Sequence, residues 1–178
     1  MKLYISASNR KGNCYKIMQD LKTEEDKEIA LAGKNIQYCL GCCKCSEKLE
    51  TYCVLQDDMK EIYDNIVKAD KIIIITPIYM NHITGILKNV IDRFNPYMSH
   101  PEMLEGKTVY VITVGQIEEK ENEEIANNIK AYFESVGDFM KFQAVFLRNF
   151  SSGEEDDVTK NYENYKEMIE TIKKKIGE

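Results

Sequence analysis

Two hydrophobic rhythms alternate along the chain. In some stretches nearly every residue is apolar; between them, apolar residues recur every three or four positions. Lys71-Ile72-Ile73-Ile74-Ile75-Thr76 is the strongest stretch of the first kind. Four consecutive isoleucines suit a central parallel strand buried on both faces, and β-branching favours extended backbone. Thr108 to Val114 is a second near-continuous apolar strand, opening at Gly115. Leu3-Tyr4-Ile5 predicts a short buried strand ending at Ser6. Lys27 to Ala32 predicts another, with Ile29 and Leu31 on one face, and Phe139 to Leu147 a fifth. The second rhythm predicts amphipathic helices. One runs from about Asn13 to Leu21 on Tyr15, Ile17, Met18 and Leu21. The next buries Met59, Ile62, Tyr63, Ile66 and Val67 behind an N-cap at Asp57, with Asp58 in its first turn. A third uses Ile83, Ile86, Leu87, Val90, Ile91 and Phe94, and a fourth Ile125, Ile129, Tyr132, Phe133 and Val136. A terminal helix from about Glu154 to Ile176 carries Val158, Tyr162, Tyr165, Ile169, Ile172 and Ile176. Its acidic start and its Lys173-Lys174-Lys175 end complement the helix dipole.

Strand followed by helix, five times over, is the alternation of a doubly wound parallel α/β sheet. Residues 1–178 are expected to form one domain. Ligands of such sheets bind outside the carboxyl ends of the strands, where the strand order reverses. Three loops are expected there: Ser6–Cys14, Pro77–His82 and Val114–Gln116. The first joins a strand to a helix through Ser, Asn, Arg and Gly. It suits an anion, because backbone N–H groups at a helix start point outward; it is equally compatible with an ordinary solvated turn. It is neither a Walker A loop nor a G-x-G-x-x-G turn.

Composition narrows the function. A formal net charge of -6, with acidic residues dispersed, excludes the broad basic face that nucleic acid requires. The longest apolar run is far too short to span a bilayer. The N-terminal stretch lacks the longer apolar core and cleavage site of a signal peptide, so a cytoplasmic location is expected. Five of the six cysteines fall within Cys39-Leu40-Gly41-Cys42-Cys43-Lys44-Cys45 and Cys53. In a reducing compartment such a cluster points to metal binding or redox chemistry rather than to disulfides.

Taken in order, these loops resemble the flavodoxin-like family of NAD(P)H-dependent FMN reductases, and within it the iron–sulfur flavoproteins. Ser6-Ala7-Ser8-Asn9-Arg10-Lys11-Gly12-Asn13-Cys14 is similar to the family's Gly-Ser-Pro-Arg…Gly-Asn-Thr phosphate loop, with Cys14 where a hydroxyl residue usually stands. Thr76-Pro77-Ile78-Tyr79-Met80-Asn81-His82, then Leu87-Lys88 and Asp92-Arg93, resembles its Pro-x-Tyr…Leu-Lys…Asp-Arg signature. The resemblance implies a five-stranded sheet in the order 2-1-3-4-5 that binds FMN. Ser6, Ser8, Arg10, Asn13 and Cys14 would lie at the phosphate. Pro77, Ile78, Tyr79, Met80, Asn81 and His82 would lie along the ring, and Gly115 and Gln116 on its far side. Hydride would pass from NAD(P)H to the flavin, with no protein side chain as catalyst, and on to a quinone, flavin or similar small-molecule or protein acceptor. Family members are commonly homodimers or homotetramers. Arg93 is expected to form a structural ion pair.

The cysteine stretch keeps three readings. Omitting Cys43, the spacing is C-x2-C-x2-C-x7-C. In the iron–sulfur flavoproteins such a run holds a 4Fe–4S cluster, here on Cys39, Cys42, Cys45 and Cys53, with Cys43 spare and pointing elsewhere. Structural zinc has a similar requirement and would suit a non-enzymatic interaction protein. The third reading is a metal-free loop of structural or redox-active thiols.

Overall fold

The isoleucine run forms the centre of the sheet. The structure is a computed structural model and describes residues 1–46, 53–115, 119–151, 154 and 156–177. Strand β3 (Lys71–Tyr79) lies between β1 (Lys2–Ser6) and β5 (Thr108–Gly115). Strands β2 (Lys27–Ala30) and β6 (Gln143–Ser151) flank them, all five parallel in the order β2-β1-β3-β5-β6. A sixth short strand, β4 (His82–Ile83), pairs antiparallel with the end of β3 and stands off this path. Counted over the parallel strands alone, the order is the expected 2-1-3-4-5.

The isoleucines divide between the two faces because side chains alternate along a strand. Ile72 and Ile74 join the core under α2 (Met59–Lys68), α3 (Gly85–Asp92), α4 (Asn95–Ser99) and α5 (Glu119–Met140). Ile73 and Ile75 join the core under α1 (Asn13–Leu21), α6 (Asp157–Lys160) and α7 (Tyr162–Gly177). Ile73 and Ile75 are fully buried, each worth roughly 1.5–3 kcal/mol of apolar burial. Among the described residues no helix is long and apolar enough to cross a membrane.

Several boundaries differ from expectation, each for a local reason. β2 ends at Ala30, not Ala32. The segment Pro77–His82 is not an open loop: β3 continues to Tyr79, and a hairpin pairs Ile78 with Ile83 and Tyr79 with His82. Phe139 and Met140 finish α5 instead of opening the last strand, which starts at Gln143. Phe139 lies on the outer side of the helix, 62% exposed, so its hydrophobicity misled the pattern. The helix stops where Lys141 turns left-handed (φ 61) and the Phe142 N–H bonds back to the Gly137 carbonyl at 3.1 Å. That six-to-one bond defines a Schellman end. The terminal helix is broken into α6 and α7, with Asp156 left-handed ahead of α6; Glu155 of its expected acidic turn lies outside the described residues. The N-cap position of α2 falls to Asp58, one residue later than expected, and the Asp58 side chain makes no cap hydrogen bond there.

Candidate functional site

The loop after β1 is held from three sides. Ala7 N–H bonds the Ile75 carbonyl at 2.7 Å, and Leu31 N–H bonds the Ser6 carbonyl at 3.0 Å. From above, the Thr84 hydroxyl donates to the Ala7 carbonyl at 2.9 Å while its oxygen caps α3 by accepting from Leu87 N–H. Ser6 and Ser8 are buried, and Ser8 Oγ accepts from Arg10 N–H at 3.3 Å, which shapes the turn. Asn13 bridges to the tail: Nδ2 donates to the Glu154 carbonyl and Oδ1 accepts from Val158 N–H, both at 3.1 Å. A Cβ on Gly12 would stand 3.2 Å from Asp156 Oδ1 and 3.4 Å from Arg10 Cζ. The Arg10 guanidinium therefore folds back over the loop, beside an acidic residue of the tail. Cys14 is buried at the start of α1; burial pushes its thiol up to about 12, against the pull of Arg10.

At the end of β3 the backbone reverses through Met80 (φ 49) and Asn81 (φ 60). Two successive left-handed residues make the tight turn whose twist matches a hairpin. Asn tolerates this conformation; Met does so at a cost of about 1 kcal/mol. Met80 is almost wholly exposed, Tyr79 and Asn81 are exposed, and Pro77 and Ile78 are half-buried. His82 does not hang free: its ring meets Tyr132 of α5 edge-on at 5.3 Å between centroids. Gly115 comes close beneath, since a Cβ there would stand 3.1 Å from Ile78 Cβ. Gln116 lies outside the described residues. The structure thus brings Ser6–Cys14, Pro77–His82 and Gly115 to one edge of the sheet.

The cysteine loop is fastened at its base. The Arg93 and Asp57 side chains are buried and paired at 2.5 Å. Arg93 Nη1 also donates to the Gln37 carbonyl at 3.3 Å, and Asp57 accepts from Gln37 N–H at 2.9 Å and Met59 N–H at 3.2 Å. Burial alone would raise the Asp57 carboxyl, but the Arg93 hydrogen bond and the two backbone donors outweigh it and hold the group below the usual carboxylate range. Asn35 N–H adds a bond of 2.7 Å to Asp58. Both ends of the loop are therefore tied together, and the ion pair expected at Arg93 is present. Beyond the base, Gly41 (φ 62) and Cys43 (φ 55) turn the chain sharply. Cys39, Cys42, Cys43, Cys45 and Cys53 then line one cavity of about 120 Å³, together with Asp92 and Asn95. Cys43 also lines the cavity, and its thiol donates to the Gly41 carbonyl at 3.7 Å.

All six thiols are free. Among the described residues no three His, Cys, Asp or Glu side chains converge closely enough to grip a metal ion. In kind and number, the donors fit a thiolate-bound group, since five soft ligands surround one cavity. Sequence reasoning missed Thr84 and Asn95. Thr84 carries the ordinary N-cap signal, a threonine just before an apolar-periodic run. Asn95 donates from Nδ2 to Cys45 Sγ, a long-range tie to the cysteine loop that left no local trace.

The profile of the NADPH-dependent FMN reductase family (FMN_red) matches residues 2–133. The chain belongs to this family. Its family match covers the first loop, the cysteine stretch, the hairpin and Gly115 together. An iron-sulfur flavoprotein of Methanocaldococcus jannaschii is 38% identical over 95 residues, which is 53% of this chain and 48% of that protein. One from Methanosarcina thermophila is 35% identical over 96 residues, 50% of this chain and 49% of that protein. The chain spans about half the length of these curated relatives. Among solved structures, an FMN-dependent NADH-azoreductase from Bacillus anthracis in complex with FMN superimposes with a TM-score of 0.63 at 14% identity, covering 99% of both chains. The Trp repressor binding protein from Bacillus subtilis does so with a TM-score of 0.64 at 19% identity, covering 92% of this chain and 94% of that one. At these identities the likeness establishes the fold.

Proposed function

We propose that this FMN reductase family member binds FMN at the sheet edge and a 4Fe–4S cluster on Cys39, Cys42, Cys45 and Cys53, and that it moves electrons from NAD(P)H to a small-molecule or protein acceptor. The observation that carries the reading is the shared placement of the two sites on α3. Thr84 at its start supports the first loop, and Asp92 at its end lines the cysteine cavity. The eight residues of α3, Asp92 included, carry the chain from one to the other, roughly 12 Å at 1.5 Å per residue. The relatives named iron-sulfur flavoproteins support the cluster.

Bound FMN would supply hydride acceptance and one-electron release, and the cluster a one-electron station. The protein's contribution is binding and orientation. Arg10 and the backbone N–H groups at the start of α1 would hold the phosphate, with Ser6, Ser8, Asn13 and Cys14 around it. Pro77, Ile78, Tyr79, Met80, Asn81 and His82 present a rigid hairpin to the ring, braced through Tyr132, and Gly115 leaves room on the far side. Asp57 and Arg93 fix the base of the cysteine loop. Exposed Tyr38, Leu40, Val54 and Met80 support a homo-oligomer in which these surfaces are covered.

A second reading keeps FMN and NAD(P)H but leaves the thiols metal-free. It is favoured by the one observation that the thiols surround the cavity without converging. Quinone, free flavin and similar acceptors suit either reading.

The flavin placement is tested with Arg10→Ala. Titration of apoprotein, followed by flavin fluorescence, should show FMN affinity reduced roughly tenfold or more, the worth of one charge-assisted hydrogen bond. Riboflavin, which lacks the phosphate, should bind both proteins equally. Unchanged FMN affinity would show that the phosphate lies elsewhere.

A further inference from the structure

We infer that Asn95 is a potential-setting residue of the cysteine site, acting on the sulfur of Cys45. The inference rests on the cluster reading above. Asn95 opens α4 immediately past the end of α3, and it lines the same cavity as the five cysteines. Its Nδ2 donates to Cys45 Sγ at 3.0 Å and to Ser46 Oγ at 3.2 Å. Both amide hydrogens are thus directed at the loop, one of them onto sulfur. A thiol can donate as well as accept, but a thiolate or metal-bound sulfur accepts only. An amide turned nitrogen-first toward sulfur is therefore the orientation that suits the ligated state.

A buried cation lies close by in the chain. Arg93, two residues earlier, is 2% exposed, and its Nε and Nη2 are buried without a hydrogen-bond partner. Its Nη1 donates to Asp57 and to the Gln37 carbonyl at the loop's base. Buried donors left empty are costly. The stretch Arg93–Asn95 thus carries a buried cation at the loop's base and a directed N–H on the cavity wall. Hydrogen bonds to sulfur and nearby charge are among the determinants of iron–sulfur potentials. Donors stabilise the more negative, reduced state and raise the potential.

The test is a redox titration of protein reconstituted anaerobically with ferrous iron and sulfide, followed by the paramagnetic resonance signal of the reduced cluster. Wild type is compared with Asn95→Leu, Asn95→Asp and Asn95→Gln. Leucine removes the donor, and aspartate replaces it with an acceptor of nearly the same shape. The potential should fall in both, further in Asn95→Asp, and return part-way in Asn95→Gln. The expected size is about a tenfold change in the oxidised-to-reduced ratio at fixed applied potential, about 59 mV for one electron. If Asn95→Leu does not fold, Asn95→Asp decides. A cluster that forms in Asn95→Asp with the wild-type potential overturns the inference while leaving the cluster reading intact. Wild type that binds no iron and sulfide as a cluster overturns both.

Discussion

At the residue scale, the Asp57–Arg93 pair decides whether the cysteine loop is held. Removing one partner leaves the other charge buried, a loss of about 3 kcal/mol or more. Asp57→Asn should lower stability by about that amount in urea unfolding at neutral pH. The pH dependence has a definite sign. The folded carboxyl sits below its ordinary value, so its stabilisation is present above the unfolded pKa, about 3.9, and is lost as pH falls through the folded value. Between pH 5 and 2.5 wild type should therefore lose more stability than Asp57→Asn; parallel acid limbs would contradict the pair's role. The same residues show what the sequence made legible. Arg93 was readable as an ion-pair residue from its place in Asp92-Arg93, but its partner was not. Asp57 lies 36 positions away and looked like a helix cap, because the local signal for a cap and for a loop clamp is the same carboxylate.

At the element scale, two glycines and one lysine govern how helices and strands end. A Cβ on Gly137 would stand 2.7 Å from the Phe142 carbonyl oxygen. Gly137→Ala should cost roughly 1–3 kcal/mol through displaced packing, despite the better helix propensity of alanine. Lys141 occupies a left-handed position that glycine prefers, and Lys141→Gly should raise stability by about 1 kcal/mol. Thermal unfolding of the two variants checks both, with shifts of opposite sign. Gly115→Val should push Ile78 from the strand ends and weaken FMN binding at least tenfold in fluorescence titration, with little change in unfolding midpoint. The strand and helix existence was readable because the apolar periods are strong. The ends were not: Phe139 continues an apolar pattern that is shared by helix and strand. The Pro77–His82 hairpin was hidden because Met80-Asn81 is a weak version of the Asn-Gly signal for its turn.

At the scale of the whole molecule, the parallel sheet assembles its sites by topology. β1 and β3 are neighbours in the sheet, so the loops that follow them meet although they are some seventy residues apart in sequence. The alternation of strand and helix was enough to read that meeting place. The cysteine loop was readable as donor chemistry from its spacing. Its position at the far end of α3 was not, because it depends on two long-range ties, Asn95 to Cys45 and Asp57 to Arg93. One helix thereby links the sheet edge proposed for FMN to the cysteine cavity, and this linkage is the reason to propose both centres for one chain.

That assignment is tested most directly by protein purified without oxygen. Its absorption spectrum is recorded, and flavin, iron, sulfide and zinc are quantified per chain. The account predicts flavin bands over a broad brown absorption, with one FMN, four iron and four sulfide per chain, about the content of a single 4Fe–4S cluster. The brown component should disappear, and the flavin remain, when Cys42 is changed to serine. A colourless protein carrying one zinc per chain would contradict it.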